Sequence, residues 1–332
     1  MNTLMIFYMI ALIYRDTKAS SVALSEWFEG VSHDQFTRLL SKAQSWPTLL
    51  WRVFASNLIA DGGYLIVDDT VLEKFGKQVF GVYWVHSSRI NKAVKGINVV
   101  LLIWTDGRRR LPLGIKVWRK GGPTRVVLAS KLFRWAYNLG IKPQYVLFDS
   151  WYSSKSILRQ IRSYNWHFIT RLSKNRKLSG KQLKYHWPHR FGHTIGKVVG
   201  GFELFVVKDS RRYLATSDLS LSLKQVKFHY AVRQQIEETI KILKSQLAWG
   251  KCPARTKATQ LAHLHLCLMA FCVLDNEAVR IQATPYQIRR SLLRQAIPLH
   301  SFLFRFWCKD ENKDEPLPLS KTLQAASAIS HI

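Results

Sequence analysis

Acidic side chains are scarce in this 332-residue chain: 21 Asp and Glu stand against 50 Lys and Arg, a formal net charge of +29. That deficit points to a polyanionic partner, and nucleic acid comes first among those. The imbalance is uneven. Residues 1–63 carry five basic and five acidic side chains, whereas residues 64–332 hold the whole excess. Cysteine is also rare, with Cys252, Cys267, Cys272 and Cys308 forming neither a CxxC pair nor a zinc-ligand spacing. This excludes a disulfide framework and predicts reduced, packed thiols. Histidines His263 and His265 lie inside the apolar stretch Leu261 to Leu274, which predicts a buried helix rather than a metal site. The apolar N-terminus, 14 residues apart from Asn2 and Thr3, has neither bilayer length, a basic leader nor a small-x-small cleavage site. It predicts a packed helix or strand in a cytoplasmic protein with no membrane partner.

With 47% hydrophobic residues the chain can bury a core in one large domain or two. Helices are expected over Ser21–Glu29 and Ser32–Ala43, the second capped by Ser32 or Asp34, so residues 1–63 read as a small helical N-terminal region. Its neutral charge argues against strong phosphate binding. From Tyr64 the pattern turns to strands: Tyr64–Asp69, then Asn98–Trp104 and Leu111–Trp118 as a hairpin around Asp106-Gly107. A helix over Thr124–Leu139 stopped by Gly140, a strand over Gln144–Asp149, a helix over Ser153–Tyr164 and a strand over His167–Leu172 follow. Residues 177–218 read as several short strands. An apolar helix over Ala258–Arg280 precedes a C-terminal tail, 281–332, with a short helix near Leu323.

Two of the strands end in a carboxylate, Asp69 and Asp149, at the edge where α/β sheets place their chemistry. A third acid lies in the helical stretch YAVRQQIEETIKILK, Tyr230–Lys244. There Ile236, Ile240, Leu243 and Leu247 make the apolar stripe, and Tyr230, Arg233, Glu237, Lys241 and Lys244 line the face beside it. Alone, Glu237 would merely pair with Arg233 and Lys241, at about 0.2–0.5 kcal/mol each. In a chain this poor in acids, two strand-end carboxylates and a helical one make the set that a divalent metal site on a phosphodiester enzyme needs.

The strand order, the acids in VDDT (67–70) and LFDSWYSS (147–154), the tract YWVHSSRI (83–90), and the spacing Tyr230-x2-Arg233-x3-Glu237-x6-Lys244 resemble the DDE transposases of bacterial insertion sequences. More narrowly, they resemble the branch with the tyrosine-arginine-glutamate-lysine signature. The resemblance implies an α/β, RNase H-like catalytic domain over 64–280, with a β-rich insertion at about 177–218 before the last catalytic helix. It further implies that Asp69, Asp149 and Glu237 hold Mg²⁺, or Mn²⁺, as the catalytic triad, while Tyr230, Arg233 and Lys244 contact DNA. Asp69 is preferred to Asp68 because Thr70 follows it; the pattern alone leaves both open. The expected activity is metal-dependent cleavage at transposon ends and strand transfer into target DNA, by a homodimer on double-stranded DNA associated with the nucleoid. The alternative from another class is a non-catalytic DNA-binding protein, a decayed or domesticated relative. Basic runs at Arg108–Arg110, Lys116–Lys120 and Lys174–Lys184 would track DNA in either case.

Overall fold

A computed structural model describes residues 2–14, 20–26, 28–58, 60–76, 78–87, 91–187, 189–197 and 201–294. Cys308, the helix expected near Leu323, and residues 88–90 of the YWVHSSRI tract lie outside the described residues. The chain opens with α1 (Thr3–Tyr14), α2 (Ser21–Ser25), α3 (His33–Ser41) and α4 (Trp46–Phe54). Strands β1 (Tyr64–Glu73), β2 (Val82–Ser87), β3 (Lys92–Thr105) and β4 (Arg110–Val117) follow. Then come α5 (Arg125–Asn138), β5 (Tyr145–Phe148), α6 (Lys155–Ser163) and β6 (Phe168–Leu172). The β-rich segment supplies β7 (Lys177–Leu178), β8 (Lys181–Gln182), β9 (Phe191–Lys197), β10 (Glu203–Asp209) and β11 (Arg212–Thr216). Helices α7 (Leu223–Ala231), α8 (Gln234–Gln246), α9 (Lys257–Arg280) and α10 (Pro285–Leu293) complete the described chain.

Two compact units emerge, and they interleave in sequence. One comprises 1–53, 72–82 and 241–332; the other comprises 54–71 and 83–240. The first is helical. Helix α1 is apolar on every side and buries Met5 to Ile13, each fully buried large side chain contributing about 1.5–3 kcal/mol. It packs against α9, where Tyr8 Oη lies 2.8 Å from His263 Nδ1. His263 Nε2 in turn lies 3.1 Å from the Ala248 carbonyl, and burial pulls the imidazole down to about 3, so it stays neutral. These histidines are core residues. Helix α9 is apolar enough by length and composition to cross a bilayer, but 83% of its most apolar window is buried within the protein.

The second unit carries the main sheet, a mixed α/β architecture with strand order β2-β3-β1-β5-β6-β11-β10-β9 and β4 paired to β3. β1 runs parallel to β5 and β5 parallel to β6, while the β3–β4, β6–β11, β11–β10 and β10–β9 pairs are antiparallel. The expected hairpin forms: Asp106 Oδ1 accepts from the backbone N–H groups of Arg108 and Arg109, and Gly107 takes φ +95°. Gly63 sets the entry to β1. Its φ is +68°, and a Cβ there would sit 2.7 Å from the Thr105 carbonyl oxygen and the Trp104 indole nitrogen. The inserted strands β9 to β11 do not stand apart; they extend the main sheet beyond β6, with β7 and β8 as a separate small hairpin.

Candidate active site

Pleat parity decides which side chains can meet. β1 and β5 pair in the register Tyr64↔Tyr145, Leu65↔Val146, Ile66↔Leu147. Two residues further along, Asp68 and Asp149 fall opposite each other on the face that carries Tyr64 and Tyr145. That is the face of α7, because the Tyr64 and Tyr145 rings both pack on His229 and Tyr64 Oη lies 2.7 Å from His229 Nδ1. Asp69, one residue on, faces the other side, toward the start of α5 and the turn before α6.

The two neighbouring acids accordingly have different company. Asp68 Oδ2 accepts from Arg233 Nη1 at 2.9 Å, and its Oδ1 accepts from the Asp69 backbone N–H at 2.8 Å. Burial pushes the Asp68 carboxyl up to about 7, with the Arg233 charge pulling the other way and Asp149 adding to the rise. Asp69 is held by three donors at 2.8 Å: Asn98 Nδ2 and Arg125 Nη1 on Oδ2, and the Tyr152 hydroxyl on Oδ1. The Arg125 guanidinium also lies 4.3 Å from the ring centre of Trp151, which is 58% exposed. Sequence reading favoured Asp69 and left Asp68 open; Asp68 is the one that lies beside Arg233. Nor does β1 end at Asp69. It continues to Glu73, because its neighbour β3 is 14 residues long while β5, on the other side, has four.

Asp149 sits just past β5, as expected, with Oδ1 accepting from the Trp151 N–H at 2.9 Å. Burial raises its carboxyl, Arg233 opposes this, and the Asp69 charge adds to it. The expected single helix over Tyr230–Lys244 is divided. α7 stops at Ala231 and α8 starts at Gln234, and the backbone between them tightens: Arg233 N–H donates to the Tyr230 carbonyl and Ile236 N–H to the Arg233 carbonyl, both three residues back. Tyr230 therefore ends one helix, with its hydroxyl 3.5 Å from the Phe148 carbonyl, next to Asp149. Glu237 falls in the first turn of α8 and Lys244 in its last turn, the placements that complement the helix dipole.

Arg233, in the tight turn, joins the site. One guanidinium nitrogen bonds Asp68 Oδ2 and the other bonds Glu237 Oε1. The expected i,i+4 pair thus exists, but as half of a bridge to the sheet. Lys244, in the last turn of α8, belongs to the other compact unit. Arg110, on β4, is buried and lies 3.6 Å from Glu238, while Gln235 reaches the Gly107 carbonyl of the hairpin turn. Trp166 is packed against Tyr137 and Tyr164, and Trp187 fills the space left by the missing side chain of Gly192.

Three carboxylates are hard oxygen donors of the kind Mg²⁺ takes. As they stand, however, among the described residues no group of three or more Asp, Glu, His or Cys side chains is set to hold a metal ion. The cation joining Asp68 and Glu237 is Arg233. Sequence reading missed the Asn98, Arg125 and Tyr152 donors around Asp69. Between Asp68 and Asp69, which it left open, one signal was available: Tyr64-x3-Asp68 and Tyr145-x3-Asp149 repeat the same spacing in two paired strands.

A family model described as the transposase DDE domain matches residues 58–273. No curated protein matches the chain. Among solved structures, it is similar to a piggyBac transposase in a synaptic complex with hairpin DNA, determined by cryo-electron microscopy. The TM-score is 0.53 at 13% identity, over 99% of this chain and 76% of that one.

Proposed function

The chain belongs to the transposase DDE domain family, and from that premise we propose that it cuts DNA at the ends of a mobile element and joins the freed ends to target DNA. The observation that carries this reading is the gathering of Asp68, Asp149 and Glu237 around Arg233 on one side of the sheet of a chain with net charge +29. The strand order β4-β3-β1-β5-β6 supports an RNase H-like core with β9 to β11 as its insertion. The spacing of Tyr230, Arg233, Glu237 and Lys244 supports the tyrosine-arginine-glutamate-lysine branch.

Asp68, Asp149 and Glu237 would hold the divalent metal, Mg²⁺ or Mn²⁺, and Asp69 would brace the strand that presents Asp68. When bound, such an ion lowers the pKa of an attacking water or hydroxyl and steadies the leaving oxygen. The protein's own part is positioning. Tyr230 closes over the end of β5, Arg233 offers a fork that matches two phosphate oxygens, and Lys244 offers a point charge to the DNA backbone. Two transposon ends must be brought together, which supports a homodimer on DNA in the cytoplasm.

The test uses the full chain and duplex DNA spanning the sequences that flank its own coding region. With Mg²⁺, nicks at fixed positions that disappear in Asp149→Asn support the reading. Unchanged DNA binding with no cleavage under any divalent ion would favour the non-catalytic DNA-binding alternative.

A further inference from the structure

Arg233 occupies a place where its charge does what a metal would do. Its two terminal nitrogens bond one oxygen of Asp68, on β1, and one of Glu237, on α8, so a single cation already joins a sheet acid to the helical acid. Arg233 is held for this by the turn between α7 and α8, and its side chain is only 18% exposed. Glu237 is 43% exposed, the more open of the two partners. Asp149 lies close enough for the same guanidinium charge to act on it.

We propose that Arg233 is a built-in competitor for the metal: an internal counter-ion that locks Asp68 to Glu237 in the DNA-free protein and must swing away before the acids can share a divalent ion. This rests on the reading of Asp68, Asp149 and Glu237 as the metal-holding acids. A duplex phosphate that captures the guanidinium removes the competitor. Metal and DNA then strengthen each other's binding, and the coupling is reciprocal. The apparent metal affinity of the free protein is lowered by the fraction of molecules in the locked state. A transposase built this way keeps its metal weakly until DNA is in place.

The experiment is a Mn²⁺ titration of the full chain without DNA, followed by electron paramagnetic resonance or calorimetry. The proteins are wild type, Arg233→Gln, Arg233→Lys and Asp149→Asn, with thermal unfolding as the check of folding. Arg233→Gln should bind Mn²⁺ about tenfold more tightly than wild type, and Arg233→Lys, a point charge able to hold only one acid at a time, should fall between them. Adding duplex DNA should tighten Mn²⁺ binding to wild type more than to Arg233→Gln. If Arg233→Gln, or Arg233→Lys should the Gln variant not fold, binds Mn²⁺ no more tightly than wild type while Asp149→Asn weakens it, the counter-ion role is wrong and the metal site stands. If Asp149→Asn binds as wild type does, the metal-site reading fails and the counter-ion role falls with it.

Discussion

The two faces of β1 treat neighbouring acids in opposite ways. On the α7 face, Asp68 has one cation, Arg233, shared with Glu237, and a second acid, Asp149, across the strand pair. On the α5 face, Asp69 has all of its company already: an amide, a guanidinium and a phenol, each at 2.8 Å. A carboxylate surrounded by donors is held still and has little left to give an incoming ion. One that shares a single cation with another acid has fewer fixed donors, and such a group can exchange partners. Chain position separates the two by one residue, yet the pleat separates them by the thickness of the sheet.

The sharpest way to break this contrast is to neutralise each acid in turn. Asp68→Asn should lower end cleavage at least a hundredfold, about 2.7 kcal/mol of transition-state stabilisation, with little loss of folding. Asp69→Ala should act mainly on stability. It strands Arg125 and Tyr152 without their shared acceptor, at about 2–4 kcal/mol, measured by denaturant unfolding. Full cleavage by Asp68→Asn, with loss of cleavage in a folded Asp69→Asn protein, would reverse the assignment of roles.

A smaller effect should appear in the pH dependence of stability. The Asp68 carboxyl is held at about 7 in the folded chain, mainly by burial, against an ordinary 3.8. Between those values the folded chain binds the extra proton, so stability falls as pH rises. The contribution is complete below about pH 4 and lost as pH climbs through about 7. The wild type should therefore lose several degrees of Tm relative to Asp68→Asn on going from pH 5 to pH 8, since a tenfold difference in proton affinity between folded and unfolded chains is worth about 1.4 kcal/mol. Parallel Tm profiles for the two proteins would place Asp68 in an ordinary solvated pairing.

Much of this was legible in the sequence, for physical reasons that also mark where legibility ended. The hairpin around Asp106-Gly107 and the span of α9 came through because turn chemistry and sustained apolarity are local signals. Asp149 and Glu237 stood out because acids are so few. The choice between Asp68 and Asp69 did not, since it depends on strand register and on which face each helix covers. The end of β1 was misplaced for a related reason: a strand runs as far as its longest neighbour supports it, and that neighbour, β3, is contributed by a later stretch of the chain. The interruption at Val232 and Arg233 is invisible to helical periodicity, because both flanking segments keep it. Helix α10 was a local signal left unread, with Thr284 as cap, Pro285 in the first turn and Gln287 completing the capping box.

The smallest expected effect separates basic residues by the same criterion of satisfaction. On the hairpin turn Arg108 and Arg109 are exposed, whereas Arg110 is buried and faces Glu238 at 3.6 Å. Exposed cations neutralise phosphates and release counter-ions, so they govern the salt slope of DNA binding. Arg108→Ala and Arg109→Ala should each lower that slope by about 1 in a plot of log affinity against log salt, weakening binding equally across duplex sequences. Arg110→Ala should leave the slope alone and cost about 1 kcal/mol of stability, because its charge already faces Glu238 on α8. Fluorescence anisotropy with a labelled duplex at several salt concentrations reads all three. Slopes unchanged from wild type in all three variants would mean that the hairpin turn points away from the DNA path, and would shift the tracking surface toward the basic run from Lys174 to Lys184.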